Sequence, residues 1–175
     1  MLETLITEEQ ISGRISELAR QIDGDYAGEP VLLASVLKGS FMFLSDLSRR
    51  LGDNFTLDFI HVSSYGEGTS FSGVVQIRKD LDQNIEGQNV LIVEDIVDTG
   101  VTLDHLRELL STRRPKSLKV ITLLSKPEAR RSETPIEYVG FEIPNVFVVG
   151  YGLDHAERYR NLPCVAVFRE DPPPK

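Results

Sequence analysis

Residues 90 to 102 read Val-Leu-Ile-Val-Glu-Asp-Ile-Val-Asp-Thr-Gly-Val-Thr, and no other stretch of the chain restricts its fold as much. Four consecutive apolar residues, Val90 to Val93, suit a strand buried on both faces of a parallel sheet. The run ends in adjacent carboxylates, Glu94 and Asp95. Asp98 follows, and then Thr99, Gly100, Val101 and Thr102 open what reads as a helix. In parallel sheets ligands bind beyond the carboxyl ends of the strands. Amides and hydroxyls at a helix N-terminus suit a phosphate, while the acids suit polyol hydroxyls or a hydrated magnesium ion. A sugar phosphate carries both features.

If the strand continues through Glu94 and Asp95, their side chains point to opposite sides; in a loop they can converge on neighbouring ribose hydroxyls. Asp98 lies further on, where it can reach a different part of a substrate. Thr99 and Thr102 can donate hydroxyls to a phosphate, and Gly100 lets the backbone approach closely. A helix cap explains one such acid, but not three beside a threonine-rich turn.

The rest of the chain alternates strand and helix patterns. Thr7-Glu8-Glu9-Gln10 is a capping-box pattern. Ile11, Ile15, Leu18, Ala19 and Ile22 follow at helical spacing, with Gly24 as the expected terminator. Val31 to Leu37 reads as a buried strand, and Phe41 to Leu51 as a helix closed by Gly52. Phe55 to Val62 alternates like a strand with one wetter face. Residues 63–73 hold four serines, three glycines and no aliphatic residue, which predicts a mobile loop, with Val74 to Arg78 returning as a hairpin partner. Val101 to Leu110 reads as a helix. Leu118 to Leu124, Val146 to Val149 and Val165 to Phe168 read as further strands, and the proline-rich tail 171–175 as extended or disordered. This order predicts an α/β fold, a Rossmann-like parallel sheet flanked by helices.

At 175 residues the length suits a single domain with a full core, and neither an internal repeat nor an interdomain linker is visible. The net charge of −8 argues against non-specific nucleic-acid binding, which needs a basic face. Cys164 is the only cysteine, which leaves no intrachain disulfide and suits a reducing cytoplasm. The first residues lack a basic segment followed by an apolar core, and no apolar run approaches a membrane span.

The stretch from Val90 to Thr102 resembles the phosphoribosyl-pyrophosphate binding motif of the type I phosphoribosyltransferases. Leu37-Lys38-Gly39-Ser40, Ser64-Tyr65-Gly66, Leu124-Ser125-Lys126 and Phe147-Val148-Val149-Gly150-Tyr151-Gly152-Leu153-Asp154 resemble further signatures of the hypoxanthine-guanine branch, in that family's order. The resemblance runs from about Val31 to Phe168. It implies one phosphoribosyltransferase domain over residues 1–175, with a small hood built from the chain ends and a flexible loop at 63–73. It also implies phosphoribosyl pyrophosphate and a 6-oxopurine as substrates, magnesium as cofactor, a cytoplasmic location and a dimer or tetramer.

Site roles follow from the same likeness. Glu94 and Asp95 hold the ribose end and, with Asp154, magnesium. Thr99, Gly100, Val101 and Thr102 hold the 5-phosphate, and Asp98 is the general acid/base at the purine's five-membered ring. Lys38, the amides of Gly39 and Ser40, and Arg160 bind pyrophosphate, in a loop whose Leu37–Lys38 peptide can be cis. Ser64 and Tyr65 belong to a lid that keeps water from an oxocarbenium-like transition state; Phe71 packs that lid. Lys126 donates to the base carbonyl, which favours 6-oxopurines over adenine. Phe147 stacks on the purine while the Val148 backbone reads its edge.

Position 101 departs from the pattern, because relatives often carry a longer polar or basic side chain where this chain has valine. His105 and His155 lack metal-ligand spacing and read as surface residues; Arg113-Arg114 and Arg130-Arg131 read as solvated pairs or subunit contacts. Two other readings share the donor motif. A xanthine- or pyrimidine-specific transferase would not need Lys126 with Phe147-Val148, and a sugar-pyrophosphate-binding RNA regulator would need a basic face and could lack Asp98.

Overall fold

The computed structural model describes residues 2–64 and 75–169 of the chain. Its larger sheet is built from β2 (Val31–Leu37), β3 (Phe55–Ser64), β4 (Val75–Lys79), β5 (Asn89–Val97), β6 (Ser117–Ser125) and β7 (Tyr138–Glu142). Their order is β4-β3-β2-β5-β6-β7. All neighbours are parallel except β3 and β4, which form an antiparallel hairpin. A second sheet of three antiparallel strands joins the chain ends: β1 (Leu2–Ile6) pairs with β9 (Val165–Phe168), which pairs with β8 (Val148–Val149).

The alternation of apolar residues along the central strands separates two cores. Val31 and Leu33 of β2, and Leu91 and Val93 of β5, face a cluster that includes α1 (Glu8–Tyr26) and α2 (Phe41–Ser48). Leu32, Ala34, Val90 and Ile92 face the opposite cluster with α3 (Val101–Ser111). A strand covered on both sides has no polar face to spare, which is why Val90 to Val93 reads as an unbroken apolar run. The three-stranded sheet packs on the α1 and α2 side, through Ile6, Val148 and Val165.

The strand order reverses between β2 and β5. From β2 the chain moves outward to β3, and from β5 it moves the other way to β6 and β7. The loops leaving β2 and β5 therefore part in opposite directions and leave a crevice at the carboxyl edge. They are the two loops singled out by sequence, at Lys38–Ser40 and at Asp98–Gly100.

Several boundaries differ from the sequence expectation. Thr7 caps α1 through the predicted box, with Gln10 N donating to Thr7 Oγ1 at 3.2 Å and Thr7 N to Gln10 Oε1 at 2.8 Å. The helix does not stop at Gly24. It runs to Tyr26, and the left-handed terminus falls on Ala27 and Gly28. Ile22 and Tyr26, one turn apart, are both buried, so packing outweighs the modest cost of an interior glycine. Helix α2 ends at Ser48, before Gly52. Strands β1 and β7 were not foreseen. Tyr65, Gly66, Phe71 and most of the expected 63–73 loop lie outside the described residues, as does the proline-rich tail.

Phe43 of α2 is fully buried and holds the helix that follows the Lys38 loop against the sheet. Phe43→Ala should cost about 3–5 kcal/mol of stability, read as a lowered urea midpoint at unchanged slope.

Candidate active site

Strand β5 does not end at Val93. It continues through Glu94 and Asp95 to Val97, in register with β6 at Glu94↔Thr122 and Ile96↔Leu124. Of the two arrangements open to these acids, the structure adopts the extended one, so they leave the strand on opposite faces. Asp95 follows Leu91 and Val93 towards α2 and lies against Gly39; a side chain at position 39 would collide with its carboxylate. Glu94 follows Val90 and Ile92 towards α3.

Two adjoining clefts result. One, of about 170 Å3, is lined by Glu94, Ile96, Val97, Asp98, Thr99, Gly100, Thr102 and Leu103. The other, of about 280 Å3, is lined by Lys38, Gly39, Glu94, Asp95, Asp154, Glu157 and Arg160 among others. Glu94 borders both and joins them. A third cavity, of about 180 Å3, involves Val31 and Phe55 at the first residues of β2 and β3, at the far edge of the sheet from this chemistry.

The first cleft lies at the N-terminus of α3. Gly100, at φ +84°, turns the chain into α3 and leaves the first-turn amides of that helix without intrahelical acceptors. A Cβ at Gly100 would sit 2.8 Å from Ser132 Cβ, so only glycine fits between the turn and the segment behind it. That segment is tied in place. Arg131 N donates to Thr99 O at 2.9 Å, and the hydroxyls of Ser132 and Thr134 both donate to Asp104 of α3. Arg130, expected on the surface, instead sends its Nη2 to the carbonyls of Ser132 and Thr134 and buries its Nε. Val101 stands at the first position of α3 and contributes only its amide to polar chemistry.

In the second cleft, Ser40 is fully buried. Its Oγ lies 2.6 Å from Ser35 Oγ and donates to Val36 O at 2.5 Å. Its hydroxyl is committed inward. The Leu37–Lys38 peptide is cis. Arg160 pairs with Asp154 at 2.9 Å and donates to Gly152 O at 2.8 Å. Its buried Nε finds no hydrogen-bond partner among the described residues. Glu157, missed in the sequence reading, bridges Lys38 and Arg160, each at 3.1 Å. The signal was present: Asp154, Glu157 and Arg160 recur every three residues after the Gly152 bend.

Lys126 and Asp98 meet across the lip of the site. The lysine is buried at the end of β6, and its Nζ lies 3.1 Å from Asp98 Oδ2, whose side chain is half exposed. Phe147 is 52% exposed, so one large aromatic face is open to solvent. Its ring meets His155 edge-on at 5.6 Å, and His155 lies 4.4 Å from Phe168. His155 is therefore part of an aromatic cluster rather than a plain surface residue. Val148 is paired with Val167 in the smaller sheet. The backbone of Ser64 ends β3 opposite Val75; Tyr65 lies outside the described residues.

Burial dominates the electrostatics. Desolvation pushes the Glu94 carboxyl well above its ordinary range, and the neighbouring Asp95 charge adds to this. Desolvation also raises Asp95 to about 6, against the opposing pull of backbone amides and Arg160. Glu157 shifts the other way, lowered first by Lys38 and then by Arg160. Among the described residues no three His, Cys, Asp or Glu side chains are arranged to hold a metal ion by themselves. Glu94, Asp95 and Asp154 share a cleft, but a cation there needs further oxygen ligands from a bound molecule or water.

Fold and site together define an α/β protein whose switch-point crevice joins a helix-terminal anion site to a second site of paired cations and buried acids. The Phosphoribosyl transferase domain family matches residues 3–156. The hypoxanthine-guanine phosphoribosyltransferase of Dictyostelium discoideum is 50% identical over 173 residues, covering 97% of this chain and 96% of that one. The hypoxanthine phosphoribosyltransferase of Escherichia coli K12 is 51% identical over 166 residues, covering 94% and 93%. A crystal structure of a hypoxanthine-guanine phosphoribosyltransferase from Bacillus anthracis superposes with a TM-score of 0.91 at 50% identity, covering 95% of this chain and 98% of that chain. The chain belongs to the phosphoribosyltransferase family, on its hypoxanthine-guanine branch.

The raised acids set a pH dependence. Asp95 binds its proton more tightly folded than unfolded, so the folded state holds more protons between about pH 4 and 6 and loses stability as pH rises through that window. Asp95→Asn should therefore raise the melting temperature of the ligand-free protein at pH 7, by on the order of 1–3 kcal/mol in stability. The variant should also show a flatter stability profile between pH 4 and 6. Equal stabilisation at pH 4 and pH 7 would show that the carboxylate charge is not the cause.

Proposed function

We infer that this protein transfers the 5-phosphoribosyl group of phosphoribosyl pyrophosphate to hypoxanthine and/or guanine, giving the nucleotide and releasing pyrophosphate. The observation that carries this reading is the meeting of two anion sites of different build. The α3 terminus offers amides and hydroxyls to a phosphate monoester, while Lys38 and Arg160 offer cations to a pyrophosphate. Between them lie Glu94 and Asp95, spaced by one strand residue, where the ribose of the donor would lie.

In this reading Thr99, Gly100, Val101 and Thr102 hold the 5-phosphate, the last through its hydroxyl and Val101 through its amide. Lys38, Arg160 and the amides of Gly39 and Ser40 hold the leaving pyrophosphate. The purine stacks on the exposed face of Phe147, with the backbone at Val148 along its edge. Lys126 donates to the 6-oxygen, a contact that an adenine amino group could not accept. Asp98 accepts the N7 proton while N9 attacks the anomeric carbon and the bond from that carbon to the pyrophosphate oxygen breaks, its electron pair leaving with pyrophosphate. The ion pair at 3.1 Å keeps the Asp98 carboxylate beside the end of the lysine that addresses the base. Magnesium, held by Glu94, Asp95 and Asp154 together with donor oxygens, would supply charge neutralisation as pyrophosphate leaves. Ser64 and Tyr65 belong to the lid in this scheme.

We read residues 1–175 as one domain acting in the cytoplasm, as a dimer or tetramer without nucleic-acid or membrane partners. No helix among the described residues is long and apolar enough to cross a membrane.

Turnover with phosphoribosyl pyrophosphate and Mg2+ tests the reading, with hypoxanthine, guanine, xanthine and adenine offered separately. Nucleotide should form from hypoxanthine or guanine and scarcely from adenine. No product from any base would sink the assignment. Asp98→Asn should lower kcat by about 10²- to 10⁴-fold and change the donor Kd far less; parallel losses in both would remove Asp98 from the proton-transfer role.

A further inference from the structure

Glu157 has no part in the chemistry above, yet it holds both cations assigned to pyrophosphate. One carboxylate oxygen, Oε1, accepts from Lys38 Nζ, and the other, Oε2, from Arg160 Nη2, each at 3.1 Å. This is the pattern that two oxygens of a phosphate group would make. The backbone presents the side chain deliberately. Glu157 sits at φ +62°, and its N–H donates to Asp154 Oδ2 at 2.8 Å. The side chain itself is 66% exposed, so it can leave its partners for water without burying a charge.

Charge makes joint occupancy unfavourable. Glu94, Asp95 and Asp154 already border the cleft, and a pyrophosphate brought onto Lys38 and Arg160 would lie against a fourth carboxylate. The Lys38–Glu157 pair is exposed on both sides, and Glu157 is the exposed member of its pair with Arg160; solvent weakens such pairs, which is what a displaceable partner requires.

We propose that Glu157 is a built-in competitor of pyrophosphate: its carboxylate and the pyrophosphate are mutually exclusive partners of Lys38 and Arg160, so Glu157 sets pyrophosphate affinity and hastens its departure. This rests on the assignment of that cleft to pyrophosphate given above. With Glu157 in place, the two cations stay aimed at one point without a bound anion, and each binding event must displace a carboxylate.

Calorimetric titration of pyrophosphate into the protein with Mg2+ present tests this. Glu157→Gln should tighten Kd by about 3- to 10-fold and slow pyrophosphate dissociation by a similar factor. The gain should shrink as salt is raised. Glu157→Asp, one methylene shorter, cannot span both cations and should show a smaller gain. Unchanged or weakened binding in Glu157→Gln overturns the proposal. Wild-type turnover separates the two levels. If the wild type neither makes nucleotide nor binds pyrophosphate, the cleft assignment fails. If it does both and the variant's affinity is unaltered, only the competitor role fails.

Discussion

The site depends on a near-contact of backbone and side chain among three segments far apart in sequence. Gly39 follows β2, Asp95 lies in β5, and Gly152 follows β8. Asp95 presses on Gly39, and the Gly39 carbonyl presses on Gly152. Neither glycine has room for a Cβ, and Gly152 also needs φ +99°, a conformation that side chains disfavour. This stack fastens the smaller sheet to the larger one and fixes the distance between Lys38, which leaves the first segment, and Arg160, which leaves the third. Tyr151, buried beside Gly152, strengthens the same joint by donating its hydroxyl to Asp46 of α2.

The electrostatics of the crevice run against folding stability. Glu94 is buried and Asp95 beside it partly so, and desolvation is the largest effect on both. A core optimised for stability alone would pair or replace them. Their cationic neighbours are engaged elsewhere: Arg160 with Asp154 and Glu157, Lys38 with Glu157, and Lys126 with Asp98. The acids thus keep unmet demand for positive charge, while Lys38 is held only by the exposed Glu157. Such mutual mismatch at a cleft is the expected signature of a site that meets its counter-charges in a ligand.

Much of this was legible in the sequence, for reasons that differ by element. Strand β2 matched its predicted limits, and α3 came within one residue of them, because burial on two faces or one leaves a clean periodic pattern. The motif residues were found because strand ends, glycines and acids occur together at the carboxyl edge. Strand β1 escaped notice because Leu2–Ile6 has four exposed or partly exposed residues out of five, so it carries little alternation. Strand β7 was hidden by Gly140, whose presence weakens a strand pattern but is required here by the Leu123 carbonyl beside it. The Lys126–Asp98 pair and the Glu157 bridge span 28 and 119 residues, and no local pattern encodes contacts at such separations.

The adjacency of Glu94 and Asp95 has a physical meaning that only the strand geometry exposes. Had β5 ended at Val93, both acids would have shared a loop and repelled one another in one place. Because the strand continues, its pleat sends one to the α2 side and the other to the α3 side. Glu94 borders both clefts and Asp95 the second, yet their backbones are neighbours on one strand, which β2 pairs as far as Val93 and β6 accompanies beyond it. The two carboxylates therefore leave the sheet at places set by strand geometry rather than by a loop. The central strand thus fixes where each acid stands, while the Lys38–Glu157 pair beside them is exposed on both sides and weak for that reason.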